Sequence, residues 1–158
     1  MHLEGTHTLD APSQLIWQML MDPEILAKVT PGVSELQKTG EGVYEAISKV
    51  KIGPVKGSFS GTLEVADPVD GESFVLRMKQ NSKIGNVAAE GTISLNPLSD
   101  AQTEVNFSGD AKLSGTIART SQRLVSGVAK SMTDKFFKAL AEEIQIQQSP
   151  DSAEEAES

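Results

Sequence analysis

The sequence predicts an α+β domain in which a curved seven-stranded antiparallel sheet wraps around a long C-terminal helix. Three observations carry this. Apolar and polar residues alternate with period two through most of residues 33–114. The period becomes helical from about residue 116. The alternating runs are separated by short Gly-, Pro- and Asp-containing turns, so consecutive strands pair antiparallel. Such a sheet needs a cover for its apolar face, and the terminal helix is the one element long enough to supply it.

The elements follow in order. Residues 2–9 alternate and form a first strand. In "DAPSQLIWQMLMDPEIL", Asp10 can cap, Pro12 suits a first helical turn, and Ile16, Met19 and Leu20 keep helical spacing. Asp22-Pro23 opens a second short helix that Thr30-Pro31-Gly32 ends. Strands are expected at about 33–39, 43–52, 55–66, 73–80, 84–96 and 102–114, with Gly53-Pro54 forming one of the turns. Leu124, Val128, Met132, Phe136 and Leu140 then recur at steps of four, along a helix ending near Gln147.

A chain of 158 residues suits one domain, taken as 1–147, with an acidic, disordered tail over 148–158. Six of the 22 acids lie after Lys138, so the body holds 16 acids against 14 bases and is near neutral. That argues against a nucleic-acid partner. The absence of cysteine excludes disulfides and thiolate chemistry. The N-terminus has neither a basic region nor an apolar run, and no stretch approaches a spanning helix. Together these features suggest a cytoplasmic protein, at most peripheral on the cytoplasmic membrane.

Strand alternation assigns the faces. Tyr44, Ala46, Ser48, Val50 and Ile52 are expected to point inward, as are Val55, Gly57, Phe59, Gly61, Leu63 and Val65. Phe74, Leu76, Met78 and Gln80 follow, then Val87, Ala89, Gly91, Ile93 and Leu95, then Thr103, Val105, Phe107, Gly109, Ala111 and Leu113. This face is apolar and repeatedly small at mid-strand. Either the glycines only let the sheet bend, or bending and missing side chains together leave an apolar cavity. The second reading is favoured, because four inward glycines on three strands exceed what bending usually needs. The expected lining is Trp17, Tyr44, Ala46, Gly57, Phe59, Gly61, Phe74, Leu76, Met78, Ala89, Gly91, Ile93, Phe107 and Gly109, with Leu124, Val128 and Met132 from the helix.

No metal, nucleotide or nucleophile motif occurs, and no metal site is expected. His2 and His7 fall on opposite faces of the first strand, and each is expected at a surface or edge. Glu45, Glu64, Glu90, Glu104 and Asp110 lie mainly on the outer face or at strand ends, where they could not serve a cavity as acid or base. Ser48, Thr103 and Gln80 face inward as isolated polar groups. Lys49, Lys51 and Lys56 flank Gly53-Pro54 outside. They read either as a solvated hairpin or as a contact for a membrane or an acidic partner.

Three segments, "GTHTLDAPSQLIWQMLMDPEILAKVTPGV", "VKIGPVKGSFSGTL" and "GTIARTSQRLVSGVAKSMTDKFFKAL", resemble the CoxG family of carbon monoxide dehydrogenase subunits. Its marks here are Ala11-Pro12 with Trp17, Asp22-Pro23-Glu24 with Pro31-Gly32, the run Gly53 to Gly61, Arg123, and Phe136-Phe137. Ser121 stands where family members often have glycine, and the tail is acidic where some carry an apolar segment. The resemblance implies the helix-grip fold of the START-like (SRPBCC, birch-pollen-allergen-like) superfamily. It also implies a non-catalytic accessory protein that binds a hydrophobic small molecule, a quinone or lipid, with no required cofactor. The implied partner is a molybdenum-containing hydroxylase such as carbon monoxide dehydrogenase, brought to the membrane or its quinone pool. The alternative is a small-molecule enzyme of the same fold, cyclase- or hydrolase-like.

Overall fold

The computed structural model describes residues 1–52 and 55–148. The elements run β1 (His2–Leu9), α1 (Ser13–Leu20), α2 (Pro23–Val29), β2 (Val33–Gly40), β3 (Val43–Ile52), β4 (Val55–Val69), β5 (Ser73–Ser82), β6 (Gly85–Ser99), β7 (Gln102–Ser114), α3 (Thr116–Arg119) and α4 (Gln122–Gln148). The seven strands form one antiparallel sheet in the order β1-β7-β6-β5-β4-β3-β2. Each strand from β2 to β7 pairs with its sequence neighbour, and β1 closes onto β7. The expected Gly53-Pro54 turn and the tail beyond Gln148 lie outside the described residues.

Two local expectations change. Asp10 does not cap α1: Pro12 holds the N-cap position, and the Asp10 carboxylate accepts a hydrogen bond from Gln102 Nε2 at 3.0 Å. Asp22 does cap α2, accepting from the Glu24 N–H at 3.0 Å. The terminal helix is broken. Thr120 is extended (ψ 149°), so one helical turn, α3, precedes α4. The Thr120 hydroxyl donates to the Thr116 carbonyl at 3.2 Å, a local bond that competes with helix continuation.

The core has two parts. The larger joins Leu9, Ile16, Trp17, Met19 and Leu20 with Phe74, Leu95 and Val105 of the sheet and Phe137, Leu140 and Ile144 of α4. The smaller joins Phe59, Ile117 and Val125, with Val50, Ile84, Val87, Leu113 and Val128 packed against it. Neither includes Met78, Ala89 or Ala111, which lie across the sheet between them.

The inward glycines record a sheet bent hard around this helix. A methyl group added at Gly61 would collide with the Lys79 backbone carbonyl of the neighbouring strand. Gly91 and Gly109 face each other across β6 and β7, and a Cβ on Gly109 would lie 2.9 Å from the Gly91 Cα. At Gly57 the space is already filled, since Ile84 Cδ1 stands 2.6 Å from where a Cβ would be. Gly57 is therefore not a vacancy, and close backbone approach explains the other three.

Ion pairs fasten the outside. Lys28 on α2 reaches the buried Glu143 carboxylate of α4 at 2.8 Å. Arg77 on β5 donates to Glu90 on β6 at 3.0 Å and lies near Glu64 and Asp67. His2 bridges Glu4 and Asp110, and its hydrogen bonds to both raise its pKa from the usual 6.5. Ile47 points outward, 36% exposed, beside the edge strand β2.

Replacing Gly61 with Ala should lower stability by about 1–3 kcal/mol, because the methyl can be admitted only by moving backbone. Urea denaturation should show this. An unchanged midpoint would mean that the close approach to Lys79 does not constrain the sheet.

Candidate functional site

Between the two core clusters lies a band of inward positions that, apart from Met78, carry small side chains or none. Gly91 and Gly109 pair in one row, and Ala89, Ala111 and Met78 lie side by side in the next. All five point toward α4, yet all are only half-buried. On α4, Ala129, Met132 and Thr133 are also half-buried and belong to neither cluster. Inward side chains on central strands are normally sealed by close packing. Here both the sheet positions and these helix positions stay partly accessible, and Met132 is an adaptable apolar side chain among them.

The predicted lining residues divide accordingly. Met78, Ala89, Gly91, Gly109 and Met132 come together at the band. Leu76, Ile93 and Phe107 border it from the larger cluster, and Val128 borders it from the smaller. Tyr44 and Ala46 are buried on β3. Trp17 and Phe74 pack edge to face at 5.8 Å within the larger cluster, and Phe59 anchors the smaller, so these three serve the core. Leu124 is a correction: it is 38% exposed and lines the solvent face of α4 beside Arg123 and Gly127. Each step of four residues advances about 40° beyond a full turn. A series from Leu124 to Leu140 therefore turns away from one face, and Val125 is the inward residue at the start. Lys49, Lys51 and Lys56 are exposed outside, with Lys51 and Lys56 directly paired across β3 and β4.

The polar groups are few. Thr103 is fully buried, and its hydroxyl donates to the Ala11 carbonyl at 2.9 Å, so it ties β7 to the start of α1. Gln80, 5% exposed, has no hydrogen-bond partner among the described residues at either Nε2 or Oε1. It lies between Gly61 and Val87, one row from Met78 and Ala89. On the inward faces Tyr44–Val50, Gly57–Val65, Phe74–Gln80, Val87–Leu95 and Thr103–Leu113 there is no charged side chain. His7 lies on the edge strand β1, as expected, and is half-buried. Its ring faces inward and stacks on Phe137 at 4.0 Å and 10°, with Phe107 at 6.1 Å on the same stack. The signal for this in the sequence is its shared parity with Leu3, Gly5 and Leu9.

Shallow depressions of about 440 and 400 Å³ also run along the outward face of α4, past Gly127, Ser131 and Lys135. No sheet residue lines them. A molecule there would stay largely in water. Among the described residues no cluster of three or more His, Cys, Asp or Glu is arranged to hold a metal.

Replacing Ala89 with Leu should change stability by less than about 1 kcal/mol, because Ala89 is only half-buried among small neighbours and the flexible Met78. Thermal and urea unfolding would check this. A loss as large as that expected for Gly61→Ala would mean the band is already packed.

The comparisons with known proteins bear on the family and the fold. The profile of the CoxG family of carbon monoxide dehydrogenase subunits matches residues 5–145. A conserved protein from Geobacillus kaustophilus is 33% identical, with a TM-score of 0.87 over 91% of this chain and 95% of its own. The Zhui aromatase/cyclase from Streptomyces sp. R1128 is 16% identical, with a TM-score of 0.72 over 94% of this chain and 96% of its own. A START superfamily protein from Mycobacterium smegmatis is also 16% identical, with a TM-score of 0.70 over 93% of this chain and 99% of its own. The last two likenesses speak to fold alone. No match was found among functionally curated proteins. The fold is the START-like helix grip, and the chain belongs to the CoxG family.

Proposed function

We infer that this protein is a non-catalytic carrier of a hydrophobic small molecule, a quinone or lipid, held between sheet and α4. Its role would be to help a molybdenum-containing hydroxylase, such as carbon monoxide dehydrogenase, engage the membrane or its quinone pool. The observation that carries this reading is the neutral, small-residue band between the two core clusters. Membership of the CoxG family supports the choice of partner. Among the described residues no helix is long and apolar enough to cross a membrane. Membrane contact, in this reading, is peripheral and falls to the exposed Lys49, Lys51 and Lys56.

Organic extraction of the purified protein should release a co-purified hydrophobic molecule. Added long-chain quinone should raise the melting temperature of emptied protein, since saturation at 100 times the Kd adds about 2.7 kcal/mol. Repeated recovery of empty protein, together with no thermal shift, would overturn the carrier reading.

One observation favours a second reading, a cyclase- or hydrolase-like enzyme: an imidazole, His7, lies inside the grip, and the Zhui aromatase/cyclase shares the fold. Under that reading His7→Ala abolishes turnover of a bound small molecule while uptake persists. Under the carrier reading the bound molecule is recovered chemically unchanged from both proteins.

A further inference from the structure

We propose that one end of the molecule is a docking surface for an anionic lipid bilayer, on which the protein stands with the start of α4 against the headgroups. The proposal rests on the peripheral membrane contact in the reading above, and widens it from three lysines to a complete end of the fold.

Residues 46–63, 78–89 and 111–133 hold nine of the chain's 14 bases and none of its 22 acids. The fold brings these stretches together. The β3–β4 hairpin, the β5–β6 turn and the last residues of β7 lie at the same end of the antiparallel sheet. There Ile84 fills the space at Gly57, the Ile117 N–H of α3 donates to the Ile84 carbonyl at 2.9 Å, and Val125 of α4 joins Phe59. Lys83 stands in the β5–β6 turn, Arg119 on α3, and Arg123 and Lys130 on α4. Lys79 and Lys112 flank Ala88 in one row of the outer face. All are exposed, as are Lys49, Lys51 and Lys56, and none of the nine forms an ion pair among the described residues. Like charges directly opposed across strands are destabilising, yet Lys51 and Lys56 face each other. Counter-charge is what this end lacks, and α4 carries the chain about 40 Å away before its acidic C-terminal stretch begins.

Two features select a bilayer from among anionic partners. The cations are spread around one end on separate elements rather than converging on a single groove, so a broad surface of one charge meets them together. Protein interfaces lean on aromatic anchors, and the single aromatic side chain of these stretches, Phe59, is buried in the core. Instead the exposed Leu124, beside Arg123, gives an apolar side chain able to enter the headgroup layer. The acids then set the orientation. On the outer face, the row after Lys79, Ala88 and Lys112 is Glu64, Arg77, Glu90 and Asp110. A molecule lying on its sheet would press those carboxylates onto the headgroups, whereas one standing on its basic end holds them away.

Co-sedimentation with vesicles tests this. Wild type should bind vesicles of phosphatidylcholine with one third phosphatidylglycerol at about 0.05 M salt, ignore pure phosphatidylcholine, and be released at about 0.5 M salt. Lys83→Glu combined with Arg119→Glu should weaken binding at least about tenfold while leaving the urea midpoint unchanged. Lys83→Gln with Arg119→Gln serves should the charge reversal fail to fold. The chain has no cysteine, so a single introduced one can carry a nitrobenzoxadiazole label. A label at Leu124→Cys should brighten on anionic vesicles. A label at Leu98→Cys, exposed at the β6–β7 turn of the opposite end, should not. A bright label at Leu98 with a dark one at Leu124 overturns the orientation. Wild-type affinity in both double variants overturns the wider surface and leaves the three-lysine contact standing. Failure of wild type to bind anionic vesicles overturns all membrane contact, and if polyglutamate still retains it, the partner of this end is an acidic protein. The ligand-carrying reading stands or falls separately, on the extraction described above.

Discussion

The bend of the sheet is the constraint on which the rest of the structure depends. A flat antiparallel sheet can touch a helix along one line only. To face α4 from several strands, β4 to β7 must coil until the backbone of one strand crowds the Cα positions of the next. Gly61 against Lys79, and Gly91 against Gly109, are where that crowding is greatest. The same residues that permit the bend also leave the centre of the inward face short of side chains.

This accounts for the divided core. Large residues gather where the sheet ends meet covering elements: Trp17 and Phe74 under α1, and Phe59 beside Ile117 near the start of α4. Between them the inward positions Met78, Ala89, Gly91, Gly109 and Ala111 are only half-buried and belong to neither cluster.

Most of the architecture is legible in the sequence, because period-two alternation fixes parity once one residue of a strand is known to be buried. Tyr44, Phe59, Phe74 and Val105 all fall on the inward face expected of them. Readings that depend on three-dimensional distance do not transfer as well. Alternation shows Gly57 facing inward, but only the packing of β4 against the β5–β6 turn shows that Ile84 occupies its space. A helical stripe drawn along steps of four rotates with distance, and this displaces Leu124 from the site. His7 lies at the sheet edge as expected, yet its stacking on Phe137 shows in the sequence only as parity shared with apolar neighbours. The helix break at Thr120 has no strong breaker to announce it. Gln80 visibly faces inward in the alternation, yet whether a buried amide is paired is a question of geometry alone.

The split core also makes α4 a cantilever. Its C-terminal half is clamped by Phe137, Leu140 and Ile144 in the larger cluster and by the Lys28–Glu143 pair to α2. Its N-terminal half is held by Val125 and Val128 in the smaller cluster and begins at a break in the helix. Contacts of such unequal number give unequal local stability along one rod. The free end lies over the Gln80 row of the sheet, and there the grip can loosen without disturbing the clamp at the other end.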